Sequence, residues 1–213
     1  GIGTDNCDIV LNELDALANI DFATRTEKDE HRTLEIVRIG TCGGMQEDIP
    51  LGTFLVSEKS IGWDGVLAFY EGRDEIADLG FEDALVDFIH YPAKAARPYV
   101  VAANPELVNR IAGDDMMRGC TIAANGFYGP QGRVLRCDLA VKDINERITD
   151  FRYEGQRITN YEMEGSAIAG LSLLMGHKAM TVCCVIAQRK VEAANTDYKP
   201  RIKQLVQTVL ERI

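Results

Sequence analysis

The sequence has no apolar run long enough to cross a bilayer, and this sets its first limit. Its longest such stretch, Ala179 to Ala187, falls well short of the roughly 18 to 20 residues that a spanning helix needs. No charged-then-apolar leader opens the chain, so a soluble, cytoplasmic protein with no membrane partner is expected. Histidine is scarce: His31, His90 and His177 stand far apart, without an HxxxH pair or a cluster with cysteine. Cys7, Cys42, Cys120, Cys137, Cys183 and Cys184 show no CxxC spacing, and most sit among apolar or small residues. No metal is therefore expected, and the thiols read as buried and free, as in a reducing compartment.

Positive charge is also in deficit. A formal net charge of −10 repels phosphate polyanions, so no nucleic-acid partner is expected, and any small anion must be held by a few local arginines. Internal repeats, low-complexity tracts and a convincing linker are lacking too. The 213 residues, 46% hydrophobic, suffice for one sizeable core and do not require two, which predicts a single domain over 1–213.

What is present alternates between strand and helix patterns. After Gly1-Ile2-Gly3-Thr4-Asp5-Asn6, the spacing of Cys7, Val10, Leu11, Leu14 and Leu17 predicts a helix, with Asp5 or Asn6 as its cap. A loop feeding a helix normally follows a strand in an α/β fold, so the natural domain is expected to begin upstream of Gly1. Residues 22–33 are polar and charged and read as an exposed connection. Strands are expected at 34–39, ending in a glycine loop, and at 52–61, 117–124 and 179–187. Helices are expected at 105–112, capped by Asn104, and at 162–175, stopped by Gly176. Residues 71–96 suit helix and loop without firm periodicity. Ile202, Leu205, Val206, Val209, Leu210 and Ile213 share one face of a closing amphipathic helix. Together these elements predict an α/β fold, a central mixed β-sheet flanked by helices.

Four segments hold chemistry-bearing side chains. In Arg38-Ile39-Gly40-Thr41-Cys42-Gly43-Gly44, a guanidinium, a hydroxyl and open amides can surround a phosphate dianion. An arginine paired with a surface carboxylate beside a plain glycine turn fits the same pattern. In Phe127-Tyr128-Gly129-Pro130-Gln131-Gly132-Arg133, Gln131 offers a donor and an acceptor while Arg133 offers donors only. Together they match the O4, N3–H and O2 edge of uracil, with Phe127 placed to stack; a Gly-Pro surface turn is the plainer reading. Glu162 and Glu164 fall at a predicted helix start, where the macrodipole favours acids by ~0.3 to 1 kcal/mol. On the functional reading, Glu164 accepts hydrogen bonds from a ribose diol and Met163 packs on the sugar. The last strand delivers Gln188 and Arg189 to the carboxyl end of the sheet, where α/β ligands bind, or simply to solvent.

In this order the motifs resemble the nucleoside phosphorylase family, and most of all its uridine phosphorylase branch. The likeness runs from Gly1 through RIGTCGG, FYGPQGR and NYEMEG to VIAQR, which is most of the chain, and four ordered motifs are far more specific than one. The resemblance implies that Arg38 and Thr41 hold phosphate, that Gln131 and Arg133 read uracil, and that Phe127 packs on the nucleoside. It implies ribose contacts from Met163 and Glu164 with Glu162 in support, a base pocket lined by Ile186 and Ala187, and Arg189 reaching toward uracil O4. The implied reaction converts uridine and inorganic phosphate to uracil and ribose 1-phosphate with no organic cofactor.

Purine-cleaving relatives carry an aspartate just after the last strand to protonate the purine. Gln188 and Arg189 stand there instead, which points to a pyrimidine. The alternatives are a purine nucleoside phosphorylase or nucleosidase, and a nucleoside-binding module without catalysis. The family also has several dozen residues before the Gly-Ile-Gly loop, including a phosphate loop and an arginine, and in many members a neighbouring subunit completes the site. A homo-oligomer with shared sites is thus implied, and this chain alone is expected to be an incomplete catalyst. The charged stretch 22–33 is longer than in compact bacterial members.

Overall fold

Helix α1 (Thr4–Asn19) opens the structure, a computed structural model that describes residues 2–190 and 193–213. Gly1, the head of the glycine-rich opening, lies outside the described residues. Neither Asp5 nor Asn6 caps this helix. Gly3 takes the cap position at φ 97°, where a side chain would be strained, and its N–H donates to Glu164 at 2.7 Å. Asp5 sits within the first turn, where it complements the helix dipole.

The exposed connection contains a two-residue ladder, β1 (Ile20–Asp21) with β2 (Thr26–Glu27). Then follow β3 (Glu35–Gly44), β4 (Phe54–Gly62), α2 (Arg73–Ile76), α3 (Leu79–Ile89), β5 (Tyr99–Ala102), α4 (Pro105–Ile111) and β6 (Met116–Ala123). The chain continues through α5 (Ile144–Asp150), β7 (Arg152–Tyr153), β8 (Gln156–Glu162), α6 (Gly165–Leu174), β9 (Lys178–Gln188), β10 (Ala193–Ala194) and α7 (Lys199–Arg212). The main sheet has the order β10-β9-β3-β8-β6-β4-β5, with β7 added on β8. β3–β9, β4–β6 and β6–β8 are parallel, whereas β3–β8, β4–β5 and β9–β10 are antiparallel. β4 also pairs with β9, Phe54 opposite Cys184, so β9, β3, β8, β6 and β4 close on one another. The mixed sheet flanked by helices is the architecture the alternating pattern predicts.

Two departures shape the site. β3 does not stop at Ile39: it continues through the glycines to Gly44, laddered to β9 and, at Gly43 and Gly44, to β8. The small residues are therefore strand, with a register shift between Cys42 and Gly43. Gly40 is where Arg38 folds back over its own strand, since a Cβ there would lie 2.8 Å from the guanidinium. The second departure is β8, a central strand whose polar Thr159 and Asn160 hide it from a hydrophobic pattern. Both are buried and bonded, Thr159 Oγ1 to the Cys120 carbonyl at 3.0 Å and Thr121 Oγ1 to Asn160 Oδ1 at 2.9 Å. Helix α6 consequently starts at Gly165 rather than 162, and Glu162 ends a strand instead of opening a helix.

The core lies on both faces of the sheet. Trp63, Phe81, Phe151 and Tyr161 pack under α3 and α5, while Phe54, Val56, Leu107 and Leu205 pack under α4 and α7. Each fully buried side chain of this size contributes about 1.5 to 3 kcal/mol. Only part of the closing-helix stripe is used: Leu205 and Val209 are buried, but Leu210 is 66% exposed and Ile213 63%. Residues 71–96 resolve into α2 and α3, the latter capped by Asp78, which accepts from the Phe81 amide at 3.0 Å. Asn104 caps α4 with Pro105 in its first turn, as its sequence indicates. All six cysteines are free; Cys42, Cys120, Cys183 and Cys184 are buried, and Cys137 is exposed. Among the described residues no helix is long and apolar enough to cross a membrane, and no three potential metal ligands cluster.

Candidate active site

A cleft of about 670 Å³ opens at the carboxyl ends of β3, β8 and β9. This is where ligands sit in α/β sheets, because the strand ends stop there and the connecting loops can be varied without disturbing the core. Arg38 and Thr41 reach it from β3, and Ile186 and Ala187 from β9. Phe127, Gln131 and Arg133 come from the loop after β6, and Glu162, Met163 and Glu164 from the junction of β8 with α6. Nine of the ten sequence-predicted binding residues thus line one cavity; Arg189 stands just behind it.

At one end the charges pair. Arg38 lies 2.9 Å from Glu162 and is also ion-paired with Glu164, and it donates to Cys183 Sγ at 3.2 Å. The Glu162 carboxylate is buried and accepts from the amides of Glu164 and Gly165, both at 2.9 Å. It therefore caps α6 and anchors Arg38 at once. Burial pushes its pKa up, and Arg38 and the two amides oppose that rise. Glu164 has one oxygen on Arg38 and the other on the Gly3 amide, so the glycine-rich opening is tied to the cleft. Thr41 lines the same cavity as these charges and Ile186.

At the other end two cations converge on one amide. Gln131 is 4% exposed, and its Oε1 accepts from Arg133 at 3.0 Å and also from Arg189. Arg189 additionally holds the Gln131 backbone carbonyl at 3.0 Å. Two guanidinium donors can only meet the oxygen, so they fix the amide's orientation and leave its Nε2 as a donor without a protein acceptor among the described residues. Neither arginine has a carboxylate within ion-pair range among the described residues. Burial pushes both guanidinium pKa values down, Arg189 further because Arg133 is beside it; both remain cations at neutral pH. Arg133 also lies over the Phe127 ring at 3.7 Å, so one face of that ring is already covered.

Sequence reasoning missed several participants. Gln188 faces neither ligand nor solvent: its Nε2 donates to the carbonyls of Gln46 at 2.7 Å and Ile49 at 2.8 Å, locking the strand end. Ile2, Tyr161, Tyr198 and Ile202 also line the cleft, joined only by tertiary folding. Asn145 of α5 lies outside it yet donates to the carbonyls of Gln131 and Gly132, both at 3.3 Å, and accepts from Tyr161 at 3.2 Å. No sequence motif marks it.

The profile of the Phosphorylase superfamily matches residues 1–212. The chain belongs to this superfamily. Among similar proteins, a uridine phosphorylase of Thermococcus kodakarensis is 24% identical over 191 residues, which is 89% of this chain and 56% of that protein. Uridine phosphorylase A of Schistosoma mansoni is 28% identical over 161 residues, 72% of this chain and 47% of its own length. The chain thus spans about half the length of the curated relatives it matches. A crystal structure of a Trypanosoma brucei nucleoside phosphorylase, described as showing uridine phosphorylase activity, superposes with a TM-score of 0.82 at 25% identity, covering 100% of this chain and 77% of that one. A uracil complex of a Schistosoma mansoni uridine phosphorylase superposes at 0.66 with 24% identity, covering 99% and 67%. That last likeness bears on the fold alone.

Proposed function

We propose that this cleft cleaves the glycosidic bond of uridine with inorganic phosphate, giving uracil and ribose 1-phosphate. One observation carries the reading: the base-facing end of the cleft offers donors from Gln131 and Arg133, with Arg189 behind them and no carboxylic acid among the described residues. Such an end suits a leaving group that departs as an anion with charge on its carbonyl oxygens, and it supplies no proton for a purine nitrogen. Gln188, at the position where an acid would serve purines, is consumed by the backbone. The uridine phosphorylase names among the relatives support the pyrimidine assignment.

In this mechanism Glu164 exchanges Arg38 for the ribose hydroxyls, and Arg38 swings with Thr41 onto phosphate beneath the sugar. Met163 packs on the ribose, and Ile186 and the open face of Phe127 border the base. The bond from C1′ to N1 stretches first; phosphate faces the positive charge that builds on the sugar while Gln131 and Arg133 stabilise the charge on uracil. Glu162 keeps Arg38 within reach and does not itself touch substrate. A homo-oligomer whose neighbouring subunit completes the phosphate side belongs to the same reading, as does residence in the cytoplasm.

The test is uridine consumption by the full-length protein with and without phosphate, beside inosine and methylthioadenosine. Phosphate-dependent release of uracil is expected. Equal rates in phosphate-free buffer replace this reading with a hydrolase, faster inosine cleavage replaces the pyrimidine with a purine, and binding without turnover leaves a nucleoside-binding module.

A further inference from the structure

Gln131 can offer its amide to a base only if the tight turn that carries it, Gly129–Gln131, is held still. Side chains from two other elements hold the backbone of that turn. Arg189, just past the end of β9, donates to the Gln131 carbonyl at 3.0 Å. Asn145, in the first turn of α5, donates to the carbonyls of Gln131 and Gly132, both at 3.3 Å. Both holders rest on one tyrosine. The Arg189 guanidinium lies over the Tyr161 ring, 5.0 Å from its centre, and the Tyr161 hydroxyl donates to Asn145 Oδ1 at 3.2 Å. These bonds admit one orientation of the Asn145 amide: backbone carbonyls only accept, so Nδ2 must face them and Oδ1 is left for the hydroxyl. An ionised aspartate of the same shape would face both carbonyls with acceptors alone.

We propose that Asn145 is a positioning residue of the base site, and that through Tyr161 it sets where the Gln131 amide stands relative to the strand end that holds the sugar. Asn145 does not line the cleft and touches no substrate; it acts through Gln131. Tyr161 supplies the fixed point. It is 1% exposed, and it lies in β8 directly before Glu162, Met163 and Glu164, the residues that anchor Arg38 and border the ribose in the proposed mechanism. Asn145 therefore ties the base-reading turn to the sugar-reading strand by side-chain bonds, although the two are about 30 residues apart in sequence. The tie matters because a donor stabilises a developing anion only where it is fixed in advance, and a small misplacement is costly in rate. This role rests on the function proposed above.

The test compares Asn145→Ala, Tyr161→Phe and the double variant of the full-length protein on two nucleosides, uridine and 5-fluorouridine. The fluorinated base departs as the more stable anion and needs less help from donors. Asn145→Ala is expected to lower kcat for uridine by roughly tenfold, to lower that for 5-fluorouridine clearly less, and to leave the KM for phosphate in place. Tyr161→Phe keeps the ring under Arg189 and removes only the hydroxyl. It is expected to lower kcat for uridine a few-fold, and to add nothing in the Asn145→Ala background because both act through one amide. Equal losses with the two nucleosides, a matching rise in the KM for phosphate, or full additivity of the two substitutions overturns the role, since general damage to the fold gives those results. Where Asn145→Ala does not fold, Tyr161→Phe decides by the same comparison of the two nucleosides. A wild type that turns over no uridine removes the proposed function and this role with it, whereas an active wild type with an unaffected Asn145→Ala overturns the role alone.

Discussion

The side-chain oxygen of Gln131 accepts a hydrogen bond from Arg189, a residue that does not itself border the cleft. Because Arg133 takes the same oxygen at 3.0 Å, the amide nitrogen is what remains for a base carbonyl. Gln131→Glu keeps the size and both arginine contacts but turns that donor into an acceptor. Turnover of uridine is expected to fall by about 100-fold, as for loss of one donor to a developing anion, with the KM for phosphate nearly unchanged. Steady-state kinetics with each substrate varied in turn checks this, and a wild-type rate removes Gln131 from the base site.

Arg133 combines a direct position in the cleft with stacking on Phe127 at 3.7 Å. Arg133→Ala is expected to lower uridine turnover by about 100-fold or more. Arg133→Lys keeps the charge yet loses the planar face, and it is expected to recover only part of that loss. Full recovery by lysine would show that charge alone matters and that the ring contact is incidental.

The fold and much of the cleft were legible in the sequence for a physical reason. Arg38, Gln131, Arg133 and Glu164 sit in short motifs each of which alone also fits a plain turn or helix start, and it is their order along the chain that makes them specific before any tertiary contact exists. What stayed hidden depends on distant pairings. β8 is central, but Thr159 Oγ1 and Asn160 Oδ1 find partners on β6, so these polar residues mimic a loop in a hydropathy pattern. The glycines after Ile39 read as a turn because nothing local shows that β9 and β8 will flank them. Gln188 read as a residue at the ligand end of the sheet or in solvent, since the carbonyls of Gln46 and Ile49 that claim it lie 142 and 139 residues away in sequence. Asp5 and Asn6 read as caps, because sequence spacing carries no trace of the Gly3 contact with Glu164.

Gly132 tests how the base readers are held. It adopts φ +66°, and a Cβ there would lie 2.3 Å from the Asn145 amide nitrogen that pins the turn. Gly132→Ala is expected to cost about 1 to 3 kcal/mol through backbone strain plus the displaced Asn145. A drop in the urea midpoint shows the strain, and a rise in the KM for uridine without one for phosphate shows that the turn has moved. Unchanged values for both would mean that the loop relaxes freely and that Asn145 does not position it.

Asp78 gives the fold a pH dependence of known sign. Burial works to raise its pKa, but the Lys59 ammonium at 2.7 Å and the Phe81 amide at 3.0 Å outweigh it, and the net shift is below the ordinary aspartate value of 3.8. A carboxyl whose folded value lies under its unfolded one stabilises the fold above the unfolded value, and the contribution disappears as pH falls through the folded value. Asp78→Ala removes the α3 cap with it, a loss of about 1 kcal/mol at neutral pH. Denaturant midpoints of wild type and Asp78→Ala should therefore differ at pH 7 and draw together below pH 3.8. A gap that stays constant down to acid pH would show that the lost cap acts through packing, with no part played by the charge.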